Sequence, residues 1–138
     1  TNHDSLFSSS IKSIIELPNG DLIGVGQIKH DNQPKILVVK LSSSGIFQWS
    51  SYFNHGIEGN KIISLDNNDI VVAGTSSNTK GSLIKLDSGG RELWKKEYPN
   101  FRKINSVVQI GKGGFVIVGS SNSKNGILKK IGTMGEVE

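Results

Sequence analysis

The chain contains no cysteine, which excludes a disulfide framework, a thiol nucleophile and a thiolate metal site while leaving the redox compartment open. Aromatic residues make up 7% and apolar residues 35%, below the usual share. No apolar run approaches the ~20 residues that a membrane helix needs, so a membrane-spanning helix is excluded. No segment carries a convincing helical period either. With 138 residues the chain fits one domain and excludes a large multidomain enzyme. It opens on Thr1, with no initiator Met and no apolar signal core, so the expectation is a removed leader or a piece of something longer.

Strong charge of one sign is also missing. Sixteen Lys and Arg face twelve Asp and Glu, a formal net charge of +4. The cations gather only in pairs (Lys95-Lys96, Arg102-Lys103, Lys129-Lys130), which reads as solvated strand faces and not as a nucleic-acid surface.

What is abundant is turn chemistry: 17 Gly, 19 Ser and 12 Asn. These residues punctuate a repeat. Ser13-Ile-Ile-Glu-Leu17 aligns with Lys61-Ile-Ile-Ser-Leu65 and Ser106-Val-Val-Gln-Ile110. After a four-residue turn in each copy come Leu22-Ile-Gly-Val-Gly26, Ile70-Val-Val-Ala-Gly74 and Phe115-Val-Ile-Val-Gly119. Leu37-Val-Val-Lys-Leu41, Ser82-Leu-Ile-Lys-Leu86 and Ile127-Leu-Lys-Lys-Ile131 form a third element. Gly45-Ile-Phe-Gln-Trp49 and Gly90-Arg-Glu-Leu-Trp94 form a fourth, of which Gly135-Glu-Val-Glu138 is a shortened copy. Leu41, Leu86 and Ile131 are 45 residues apart, and the first copy carries three extra residues around His30 to Pro34.

Each copy reads as four short strands, A to D, in an antiparallel meander. Strands B are apolar without alternation, as expected where neighbouring sheets cover both faces. Four strands every ~40–45 residues is the pattern of a β-propeller blade. The expected fold is therefore all-β, with three blade repeats, the third lacking its outer strand. Their bounds are about 11–53, 59–98 and 104–138, after an N-terminal tail at 1–10.

The second copy, with Asp69-Ile-Val-Val-Ala-Gly-Thr75, Leu83-Ile-Lys-Leu-Asp-Ser-Gly89 and Leu93-Trp-Lys-Lys-Glu-Tyr98, resembles secreted bacterial and archaeal propeller repeats. More distantly it is similar to the pyrroloquinoline-quinone-type repeat, in which a Gly precedes a docking Trp. The resemblance spans about Ile11 to Glu138 and implies architecture, since such blades serve enzymes, adhesins and scaffolds alike. The Gly-Gly that follows the blade Tyr in the family is replaced by Asn54-His-Gly56 and Pro99-Asn-Phe101. The quinone enzymes' metal and cofactor ligands have no match, so no cofactor is expected.

Trp49 and Trp94 share one repeat position and are expected to dock on an adjacent blade, sugar stacking being the alternative. Asp66-Asn-Asn-Asp69 reads as a hairpin turn and not a calcium loop, because a calcium site wants six to eight oxygen ligands and the equivalent segments Pro18-Asn-Gly-Asp21 and Gly111-Lys-Gly-Gly114 are turns. His3, His30 and His55 match no zinc spacing, and nothing selects one of nineteen serines as a nucleophile; neither a metal site nor a catalytic residue is assigned.

If there is a ligand site, the B–C loops and D–A connections share one end of the blades. That end would collect Lys29, His30, Asp31 and Asn32, then Asn78 and Lys80, then Asn122 and Lys124, with His55 and Glu58. Lys12, Asn60 and Asn105 would stand near the inner strands. Of these, His30, Asn32, His55, Asn78, Lys80, Asn122 and Lys124 are the candidate ligand-binding residues; ordinary solvated loops are the competing reading.

Three blades fall short of the four or more in a closed ring, so the apolar ends need partners. A larger or companion propeller piece, a second copy forming a six-bladed ring, or a compact triangular packing would each supply them. The functional expectation is a non-catalytic module, extracellular or on the cell surface, binding a protein or glycan. The alternative is an assembly fragment, possibly from an enzyme with its catalytic residues on other blades.

Overall fold

The computed structural model describes residues 8–111 and 113–138. Eleven strands make three antiparallel sheets, with no helix among the described residues and hence none long and apolar enough to cross a membrane. Sheet 1 is a meander of β1 (Ser8–Glu16), β2 (Leu22–His30), β3 (Gln33–Leu41) and β4 (Phe47–Phe53). Sheet 2 repeats it with β5 (Gly56–Ser64), β6 (Ile70–Ser76), β7 (Gly81–Leu86) and β8 (Glu92–Tyr98). Sheet 3 has three strands, β9 (Phe101–Gln109), β10 (Phe115–Ser121) and β11 (Gly126–Ile131), with Val137 forming a single bridge back to Ile131.

One hairpin design recurs. Leu17 N donates to Asp21 O and Gly20 N to Leu17 O, and the third loop residue, Gly20, has φ +92°. A type I turn followed by a left-handed residue fits the right-handed twist of its strands. The same closure joins β5 to β6, where Asn68 takes the left-handed position at φ 67°.

The inner strands start earlier than the sequence pattern suggests, at Ser8, Gly56 and Phe101 in place of 11, 59 and 104. A bulge in each carries the pairing past the point where the pattern breaks: Lys12, Asn60 and Asn105 are skipped in the registers with β2, β6 and β10. Opposite each bulge sits a glycine. A Cβ on Gly26, Gly74 or Gly119 would overlap the carbonyl oxygen of Ser10, Glu58 or Lys103. The expected tail at 1–10 is therefore strand from Ser8, paired with Lys29, while residues 1–7 lie outside the described residues.

The three extra residues of the first copy also sit differently from expectation. They lengthen the β2–β3 hairpin and not its loop: His30 pairs with Gln33 across Asp31 and Asn32, both at positive φ. Asn and Asp tolerate that conformation better than other non-glycine residues.

The sheets stack face to face. Strand β5 lies against β1, β2 and β3, and β9 lies against β5, β6 and β7. Two separate apolar cores result. Between sheets 1 and 2, Leu17, Ile23, Val25 and Val38 meet Ile62, Ile70, Val72, Ile84 and Leu86. Between sheets 2 and 3, Leu65, Val71, Ala73 and Leu83 meet Ile104, Val107, Phe115, Ile117 and Ile131.

Candidate functional site

The turns expected at the ligand end are built by side chains folding onto their own backbone. In the β6–β7 turn, Ser76 Oγ accepts from the backbone N–H of Asn78 (3.2 Å) and Lys80 (3.3 Å). Ser121 Oγ does the same for Asn125 N in the β10–β11 turn (3.1 Å). A hydroxyl at the head of the turn satisfies donors that no strand reaches. The sheet-to-sheet connections come to the same end: Ser77 N donates to His55 O (2.9 Å), and Asn122 Nδ2 reaches Pro99 O (3.5 Å).

Where sheet 1 hands over to sheet 2, these parts enclose a cleft of about 310 Å³, lined by His55, Ser76, Asn78, Ser82, Lys95 and Glu97 among others. Its chemistry is mixed polar. Asn78 Nδ2 lies 3.1 Å from one Glu97 carboxylate oxygen and 3.4 Å from the other. The Ser76 hydroxyl foremost, then the Asn78 amide and the Lys80 and Lys95 charges, hold the Glu97 carboxyl below its ordinary value against the opposing effect of desolvation. His55 Nε2 lies 2.7 Å from Glu92 Oε1, and its ring lies 5.8 Å from that of Phe53. Ser82 is 5% exposed, and its hydroxyl has no protein partner. A buried hydroxyl left unpaired costs about 1–3 kcal/mol, so a polar atom, from water or from a ligand, is favoured beside it.

Of the residues singled out in the sequence, His55 and Asn78 line this cleft, and Lys80 acts on it through Glu97. Asn32 stands exposed in the β2–β3 turn, and Asn122 and Lys124 in the β10–β11 turn, none of them lining the cleft. His30 closes strand β2 and is not in a loop, and its side chain lies outside the description, as does His3 altogether. Sequence reasoning passed over Ser76, Ser82, Lys95 and Glu97. For Ser82 a signal existed: it occupies the repeat position that Leu37 and Ile127 fill in the other copies.

The tryptophans are placed by the glycine-bearing turn of the following sheet. Trp49 lies over Gly90, where an added Cβ would stand 2.7–3.0 Å from three of its ring carbons. Trp94 takes the same seat on Gly135, beside Tyr98, whose hydroxyl donates to Gly135 O at 2.6 Å. At the corresponding Gly45 of sheet 1, an added Cβ would meet no atom of the described residues within 4 Å.

Lys12 Nζ bonds Glu58 at 2.6 Å, and Asn60 Nδ2 bonds Ile104 O at 3.0 Å, so both bulge residues bridge to the next sheet. Asp66 to Asp69 form a hairpin turn in which Asn67 Oδ1 accepts from Asp69 N. Among the described residues no group of three or more His, Cys, Asp or Glu side chains is arranged to hold a metal ion. No family model matches the chain, and no curated protein is detectably similar to it.

Proposed function

We propose that the chain is a set of β-propeller blades serving as a non-catalytic binding module, exported or displayed at the cell surface, which takes a glycan or a protruding polar group of a protein at its turn-bearing end. The observation that carries this reading is the polar cleft containing the unpartnered, buried Ser82 hydroxyl. Around it stand the amide of Asn78, the carboxylate of Glu97 and the ammonium of Lys95, a set of donors and acceptors suited to ligand hydroxyls. A cleft of about 310 Å³ is at the small end of ligand sites, the size for one sugar ring or one side chain. Three stacked meanders, each seated on the next through an inner strand, support the propeller reading.

A glycan array probed with labelled chain, followed by titration of the best ligand against Asn78→Ala and Lys95→Ala, tests the site. Binding weakened about tenfold or more in both variants is the expected result, each lost hydrogen bond to a charged or polar partner being of that order. No glycan or peptide bound, or binding indifferent to both substitutions, overturns it. The alternative, an assembly piece, rests on a different observation: the apolar faces at the two ends of the stack.

A further inference from the structure

Those end faces are not alike, and the difference between them is informative. Each internal contact joins a forward face to a backward face. On the forward side stand Ile15, Leu17, Ile23, Val25 and Val38 of sheet 1, or Ile63, Leu65, Val71, Ala73 and Leu83 of sheet 2. The same repeat positions in sheet 3 are Val108, Ile110, Val116, Val118 and Leu128. All five are apolar, yet Val108 and Leu128 are exposed and the other three only half-buried.

The backward side shows the converse. Ile62, Ile70 and Leu86 of sheet 2, and Val107, Phe115 and Ile131 of sheet 3, are buried in the two cores. Their counterparts in sheet 1 are Ile14, Leu22 and Leu41, with Ile14 60% exposed. Ile11, at the position of buried Ile104, is 50% exposed.

We propose that these two faces are the halves of one interface, and that a second copy of this chain fills them head to tail, closing two copies into a ring of six sheets. The polar contacts of the internal interfaces support the same fit. Asn60 donates to Ile104 O across one junction; its counterpart Asn105, exposed on sheet 3, is positioned to donate to the Ile11 carbonyl of the second copy. Lys40 Nζ donates to Ser88 O across the other junction; its counterpart Lys130, whose ammonium lies 3.1 Å from Glu138 Oε1 in the single chain, would turn to the Ser43 carbonyl of the second copy.

Like faces do not supply these pairings, so the junction is heterologous, and a heterologous junction forms a ring when its rotation closes. Closed propellers typically hold about four to eight blades, and two copies of three sheets make six. The ring so formed leaves the loop-end cleft untouched, so the two readings succeed or fail separately. Among the described residues sheet 3 offers no Trp to the Gly45 turn, so this junction rests on the apolar positions and the two polar contacts named above.

Light scattering coupled to size exclusion, run from about 1 to about 300 µM, tests the pairing. A concentration-dependent shift from 14.9 kDa to twice that mass is expected. Leu128→Glu blocks the forward face and Ile14→Glu the backward face; both side chains are exposed, so the monomer fold survives, as circular dichroism will verify. Each variant alone stays monomeric, and an equimolar mixture of the two restores a pair through its one intact junction. A wild-type monomer at the highest concentration overturns the proposal. So does an open series of larger masses, a single variant that still pairs with itself, or a mixture that does not pair.

Discussion

Sheets 2 and 3 were built from nearly the same strand sequences, and they differ in what lies beside them. Leu83 of β7 is fully buried, whereas Leu128 of β11, at the same repeat position, is 66% exposed. Strand β6 is buried at its first five positions on both faces, while β10 alternates: Phe115 and Ile117 are buried and Val116 and Val118 half-buried. Burial is thus a property of the neighbour and not of the residue, as expected for a stack in which each unit contacts only the next. What does not differ is the interior of each sheet. The bulge facing Gly74 is the bulge facing Gly119.

The sharpest break of that comparison comes from truncating the shared leucine position, measured by urea unfolding at submicromolar protein. Leu83→Ala is expected to cost about 2–5 kcal/mol, and Leu128→Ala less than about 0.5. Equal costs would mean that the open face of sheet 3 is covered in the isolated chain. Next in size is a substitution that ought to erase the difference. Gly74→Ala and Gly119→Ala each force a methyl onto a carbonyl oxygen of the paired strand, at about 1–3 kcal/mol in either sheet. Gly126→Ala meets nothing within 4 Å and serves as the neutral control.

The smallest effect concerns the junction itself. Tyr98→Phe removes the bond to Gly135 O that fastens sheet 2 to the closing turn of sheet 3, worth about 1 kcal/mol. Burial first, and the Glu136 charge second, push the Tyr98 hydroxyl well above its ordinary value, so the folded form keeps its proton where the unfolded chain has lost it. Stability supplied by this group is complete below about pH 10 and falls as pH rises beyond it, by up to about 1.4 kcal/mol per pH unit. The urea midpoint between pH 9 and about 11 should drop less steeply in Tyr98→Phe than in the native chain.

The sheets were legible because their signal is periodic. The apolar runs, the turn residues at fixed offsets and the 45-residue spacing all sit within one copy, where local chemistry dictates hairpins. The bulges at Lys12, Asn60 and Asn105 were not, because a bulge depends on which carbonyl faces which glycine across two strands. Strand β10 departs from the expectation of burial on both faces for the same kind of reason: among the described residues no sheet packs on its second face. The cleft was legible only in part. His55 and Asn78 stand in turns that topology sends to one end, whereas Ser82 and Glu97 lie on strands and reach the cleft through the pairing of β7 with β8.

Sheet 2 alone belongs to both apolar cores. Mechanically, that makes it a keystone with a softer flank on either side, and backbone amides in β6 and β7 must wait for a larger rupture than those in β1 or β11 before solvent reaches them. Amide-proton exchange along the polypeptide therefore slows toward the centre and quickens toward both flanks, a gradient written by stacking order and not by strand composition.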